Sequence, residues 1–124
     1  MAIKRYLANA DTTISDAYKQ NLSTRATGSN MGASDIMEIF SIYAQLSSSV
    51  DGTSVEKSRM LVQFPIENIV TDRSTNAVPK SGSVNFFLRL YNAEHHHTTP
   101  QNYTASILAV SESWSEGAGL DLDL

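Results

Sequence analysis

"SVNFFLRLY", Ser83 to Tyr91, alternates without a break: Val84, Phe86, Leu88 and Leu90 fall on one side, and Asn85, Phe87, Arg89 and Tyr91 on the other. Period two belongs to a pleated strand, whose successive side chains point to opposite faces. "YTASILAV" repeats it, with Tyr103, Ala105, Ile107 and Ala109 opposite Thr104, Ser106, Leu108 and Val110. Read as strands, these two segments make the chain a β-protein, and the rest of the sequence can be sorted against them.

Upstream, "RMLVQF" sets Met60, Val62 and Phe64 on one side. "DIMEIFSIYA" places Ile36, Phe40 and Ile42 on one face with Glu38, and Met37, Ile39 and Tyr43 on the other, so it predicts a strand apolar on both faces and therefore central. "IKRYLA", Ile3 to Ala8, and "DTTI", Asp11 to Ile14, complete six strand candidates. No long amphipathic helix is visible; "PIENIV" fits one helical turn, because proline is favoured at a helix start. The connections "NLSTRATGSNMGAS", "SSSVDGTSVEKS" and "STNAVPKSGS" carry turn residues. Short strands separated by such loops predict an all-β fold, an antiparallel sandwich in one domain over residues 1–124.

Bulk properties restrict the function. With 124 residues the chain can bury a single core, and 41% hydrophobic residues are ample for one. A net charge of -4 leaves no basic field for nucleic acid or anionic lipid, so neither is an expected partner. The absence of cysteine removes disulfides and thiolate metal sites. The first residues, "MAIKRYLANADTT", contain no apolar run of signal-peptide length, and nowhere do 18 apolar residues run together, so a protein made in the cytoplasm without a signal peptide is expected.

Four landmarks in order carry a resemblance: "DTTISDAYKQNLSTRATGSNMGASDIMEIF", "SRMLVQFPIENI", "VNFFLRLYNA" and "YTASILAVSESWSEG". They resemble the DNRLRE-type jelly-roll domain, whose pattern runs D-T-x-I, N-x-G-x-S-D-x-L-x-V, S-R-x-L-x-x-F-D-L, L-x-L-Y and V-x-x-V-x-x-x-W-x-E-G. More narrowly, "IKRYLANADTTISDAY" with "TGSNMGASDIMEIFSIYAQ" is similar to virion structural proteins of marine tailed phages, cyanophages among them. The resemblance covers Ile3 to Asp123 and implies a jelly-roll-like sandwich, a place in the virion, other virion proteins as partners and symmetric copies of the chain. Two departures stand out. Pro65 occupies the usual acidic position after the phenylalanine, and the family pattern continues past "EGAGLDLD" into further strands, so the sandwich is expected to lack its final strands within residues 1–124.

Candidate sites are few. The structural residues expected are Arg59, pairing with a carboxylate or carbonyls at a strand start, Trp114, closing the sandwich edge, and Phe64 and Phe86 in the core. Glu112 and Glu116 flank Trp114 as a glycosidase pair would, yet nothing in the pattern builds a cleft around them, and no catalytic residue is assigned. No G-x-S-x-G elbow or phosphate loop occurs either. For metals, His95 and His97 share a face of an extended "EHHH" and Asp51 lies in "VDGTS"; both segments read better as loop tips, and no cofactor is expected. Asp11, Asp35, Asp51 and Glu38 supply the oxygens calcium uses, without the alternating acidic loop, so a structural calcium is the one ion left open. Trp114, Tyr91, Tyr43 and Tyr18 are the stackers available for an alternative function, binding of a host surface glycan. The expectation is a non-enzymatic virion component.

Overall fold

A computed structural model describes residues 3–44, 54–80, 82–94 and 102–120. The chain divides into two units, one of Met1–Val84 with Glu116–Leu124 and one of Asn85–Ser115.

The first unit is built on three strands, β1 (Ala10–Ser15), β2 (Ser41–Ala44) and β3 (Ser54–Gln63), followed by a helix, α1 (Ile66–Ser74). They form an antiparallel sheet in the order β1-β3-β2. β3 is central because its two halves face different neighbours: residues 58–63 lie against β1 (Ser15↔Ser58 to Ala10↔Gln63) and residues 54–57 against β2 (Ala44↔Ser54 to Ser41↔Lys57). The ladders overlap at one point, where Asp16 N–H donates to the Lys57 carbonyl at 3.1 Å and Ser58 N–H to the Phe40 carbonyl at 3.0 Å. An antiparallel ladder bonds alternate residues only, so odd-numbered residues of β3 serve β1 and even-numbered ones serve β2.

β1 holds its extended form through β-branched side chains at Thr12, Thr13 and Ile14, which fit a pleated backbone. Thr12 and Thr13 are both buried although consecutive residues face opposite ways, so both faces of the sheet are covered there. On β3 the even residues Glu56 and Ser58 are buried and the odd residues Lys57 and Arg59 exposed. Ser58 ties the sheet to the preceding segment: its hydroxyl donates to the Glu38 carbonyl at 2.8 Å and accepts from Phe40 N–H at 2.7 Å. Thr13 Oγ1 accepts from Glu38 N–H at 2.9 Å. These bonds satisfy backbone groups of residues 38–40, which run beside the sheet without pairing as a strand.

The buried apolar side chains among the described residues are small: Ala17, Ala26 and Val78. Ala17 and Ala26 meet where the polar loop doubles back, with Ala26 N–H bonded to the Ala17 carbonyl at 2.9 Å and the Arg25 guanidinium 3.9 Å above the Tyr18 ring. Asn21 Oδ1 accepts from Ser23 and Thr24 N–H, and Leu22 takes a left-handed φ of 52° to close that turn.

α1 is longer than the single turn expected. Pro65 sits just before it, Glu67 in the first turn and Arg73 in the last suit the helix dipole, and Asn76 at φ 60° ends it in the left-handed conformation. Val78 N–H then returns to the Asp72 carbonyl at 3.1 Å.

Several strand expectations are corrected. Ile3–Ala8 forms no strand, and of Asp35–Ala44 only the last four residues pair. The second unit differs most: its described residues contain no helix or strand, although they include the two clearest alternations in the sequence. The described structure is thus strand-dominated with one short helix, a single three-stranded sheet.

Candidate functional site

A groove of about 470 Å³ lies between the N-terminal segment and α1, lined by Lys4, Tyr6, Leu7, Asn68 and Asp72 among others. Its size falls within the range of small-molecule sites. The chemistry in it is already committed. Tyr6 OH donates to Asp72 Oδ2 at 2.6 Å, and Lys4 Nζ donates to Oδ1 at 3.1 Å while lying 2.9 Å from Oδ2. Both carboxylate oxygens are therefore taken. The phenol's bond to Asp72 raises the Tyr6 pKa above its ordinary value, and the Tyr6 and Lys4 bonds lower that of Asp72. A phenol held protonated is a poor base, and a carboxylate held ionised is a poor acid, so the cluster is suited to tethering residues 4–6 to α1 rather than to proton transfer.

A second junction joins the end of the chain to the first unit. Glu116 Oε1 accepts from Asp11 N–H of β1 at 2.8 Å. Asn30 Oδ1 accepts from Gly119 N–H at 3.0 Å and from Gly32 N–H at 3.2 Å, and Ala33 N–H donates to the Gly119 carbonyl at 2.9 Å. Gly32 permits this approach, since a Cβ there would come within 2.6 Å of the Gly117 carbonyl carbon. Gly117 itself has φ 83°, a region glycine enters at no steric cost.

The expected site residues are placed as follows. Glu116 belongs to this junction, half-buried, while Glu112 is exposed in the other unit; the flanking carboxylates have different environments and only Glu116 has a bonding role in the described structure. Arg59, expected to pair with a carboxylate or carbonyls at a strand start, is exposed and shares the outward face of β3 with Lys57. Phe64 is half-buried at the end of β3. Phe86, expected in the core, is 60% exposed. Trp114 is half-buried. Of the four stackers, Tyr18 is occupied by Arg25, Tyr91 is exposed with Arg89 Nη1 3.4 Å from its hydroxyl, and the side chain of Tyr43 lies outside the described residues. Tyr18 belongs to the first unit, and Tyr91 and Trp114 to the second.

His95, His97 and Asp51 also lie outside the described residues. Among those that are described, no three acidic or histidine side chains converge as a metal site would require, and Asp35 and Glu38 are exposed. No helix of the described residues is long and apolar enough to cross a membrane. Sequence reasoning missed Tyr6, Asp72, Asn30 and Ser58, since each acts through partners between 18 and 89 residues away. No family model matches the chain, and neither does any curated protein or solved structure.

Proposed function

We propose that this chain is a non-enzymatic structural component of a tailed-phage particle, which packs by surface complementarity against other virion subunits. In this reading the β1-β3-β2 sheet is one layer of a jelly-roll-like sandwich. The ordered landmarks from "DTTIS" to "SWSEG" suggest the class of protein. The observation that carries the reading is the exposed apolar surface of the second unit, where Phe87, Tyr91, Tyr103, Ile107 and Leu108 are all more than 70% exposed. Exposed aromatic and large aliphatic side chains are the kind that a protein contact covers. The groove on α1, with its carboxylate and phenol bonded to each other, adds no competing chemistry.

Mass spectrometry of purified particles, followed by cross-linking to identify neighbours, tests this directly. The chain is expected in stoichiometric amounts with cross-links from residues 85–115 to other subunits. Its absence from particles would remove the reading, and tight, selective binding on a glycan array would replace it with a host-glycan adhesion module.

A further inference from the structure

The tether in the groove uses three of the polar side chains that line it and leaves three others. Lys4, Tyr6 and Asp72 satisfy one another, with both Asp72 oxygens taken. Arg5, Asn68 and Thr71 line the same groove, and among the described residues their side chains make no hydrogen bond or ion pair. Asn68, Thr71 and Asp72 stand at spacings of three and four on α1, which sets them on one side of the helix, the side bordering the groove. A guanidinium offers a fork of donors, a carboxamide offers donors and an acceptor, and a hydroxyl offers one donor with acceptor capacity. Polar groups gathered in a concavity and not spent on the protein are those that orient a ligand.

Charge sorts the ligand. The chain carries a net charge of -4, yet the groove is lined by two cations, Lys4 and Arg5, and one anion, Asp72. Lys4 Nζ lies 2.9 Å from Asp72 Oδ2, so that pair cancels at short range and the excess positive charge is that of Arg5. One guanidinium matches one planar carboxylate through two parallel N–H···O bonds. A doubly charged phosphate would instead bring a second negative charge near Asp72 with no further uncommitted cation in the groove to meet it. Leu7 and Pro65 add apolar surface to the lining, and Leu7 is 82% exposed, so covering it with an apolar group is favourable.

We propose that this groove binds a small organic monocarboxylate, its carboxylate held by Arg5 with Asn68 and Thr71 as polar neighbours and its apolar body laid against Leu7 and Pro65. A volume of about 470 Å³ is in the range that accommodates such an acid. The Tyr6–Asp72–Lys4 cluster is then the frame of the site: by fixing residues 4–6 to α1 it keeps Arg5 beside Asn68 and Thr71. The inference goes beyond the virion reading and does not depend on it, since binding is read on the pure protein and virion membership on particles.

The test titrates the whole chain with hydrocinnamate and follows the backbone amides by NMR. Amides of residues 4–7 and 68–72 are expected to shift and to saturate in the millimolar range. Hydrocinnamyl alcohol, which has the same body without the charge, and inorganic phosphate, which has charge without the body, are each expected to bind about fivefold more weakly or worse. Arg5→Gln is expected to weaken hydrocinnamate by a similar factor while Tyr6 still titrates above an ordinary phenol, which reports an intact tether. Asn68→Ala is expected to weaken it about twofold. Absence of a saturable shift at these amides overturns the proposal. So does an alcohol that binds as tightly as the acid, or an Arg5→Gln chain whose affinity is unchanged. A blocked dipeptide of phenylalanine and aspartate supplies the remaining comparison. Binding weaker than that of hydrocinnamate supports the small acid, and tighter binding overturns it in favour of an acidic side chain from a partner protein.

Discussion

The β1-β3-β2 sheet and the Asn85–Ser115 unit are both extended in sequence character, yet only the first contains strands. β1 is short and threonine-rich, and β3 buries a glutamate and a serine; neither has the clean alternation of Val84–Tyr91. Alternation specifies which side chains share a face. It does not supply the N–H and C=O partners without which an extended segment is no strand, and those come from a neighbour in space. β1, β2 and β3 have such neighbours; the described residues of the more strongly patterned segments form no strand.

Substitutions on the two regions should therefore behave oppositely. Ser58→Ala is expected to have the largest effect. It strips the acceptor from Phe40 N–H and the donor from the Glu38 carbonyl beside a buried position, and should cost about 2 kcal/mol, read as a lower urea midpoint at unchanged slope. Glu116→Ala should cost about 1 kcal/mol or somewhat more by leaving Asp11 N–H without its charged acceptor, and Glu116→Gln, which keeps an acceptor oxygen, should cost less. By contrast Phe87→Ser, at a side chain 87% exposed, should shift the stability of the unassociated chain by less than about 0.5 kcal/mol. A loss as large as that of Ser58→Ala would mean that Phe87 is buried in solution, and the contrast between the regions would disappear.

The smallest effect concerns the tether on α1. Asp72 has a lowered pKa, so its contribution is present above the ordinary carboxylate range, near 4, and is lost as pH falls through the lower folded value. Tyr6 has a raised pKa, so its contribution is present below the ordinary phenol value, near 10, and is lost as pH rises through the higher folded value. Residues 4–6 should thus be held to α1 between these limits and released outside them. NMR titration of the tyrosine rings checks this: Asp72→Asn should bring the Tyr6 titration down towards that of an unperturbed phenol, and an unmoved Tyr6 would mean that the 2.6 Å bond does not persist in solution.

Legibility in the sequence followed the range of the interactions. β1 was readable from "DTTI" and the second half of β3 from "RMLVQF", because β-branched and apolar residues mark extended backbone locally, whereas the first half of β3 lies in "SSSVDGTSVEKS", read as a connection. The helix was readable at its start from Pro65, but its length, Ile66 to Ser74, depended on Asn76 closing it in the left-handed conformation. Arg59 was misplaced because a guanidinium beside apolar residues suggests a buried pair, whereas its parity on β3 puts it with Lys57 on the exposed side. The groove cluster was not readable at all: nothing near Tyr6 announces a carboxylate 66 residues away.

The amino-acid sequence by itself determined that this protein is rich in extended segments, that it carries no cysteine and a net charge of -4, and which residues alternate on which face. Tertiary structure alone decided that Glu116 caps β1, that Ser58 and Asn30 bind distant backbone, and that the best alternating segments stand without strand partners among the described residues. The physical reason is that a side chain's preference for a face is local and travels with the residue, whereas a backbone hydrogen bond between strands exists only when a second segment is brought within about 3 Å of the first.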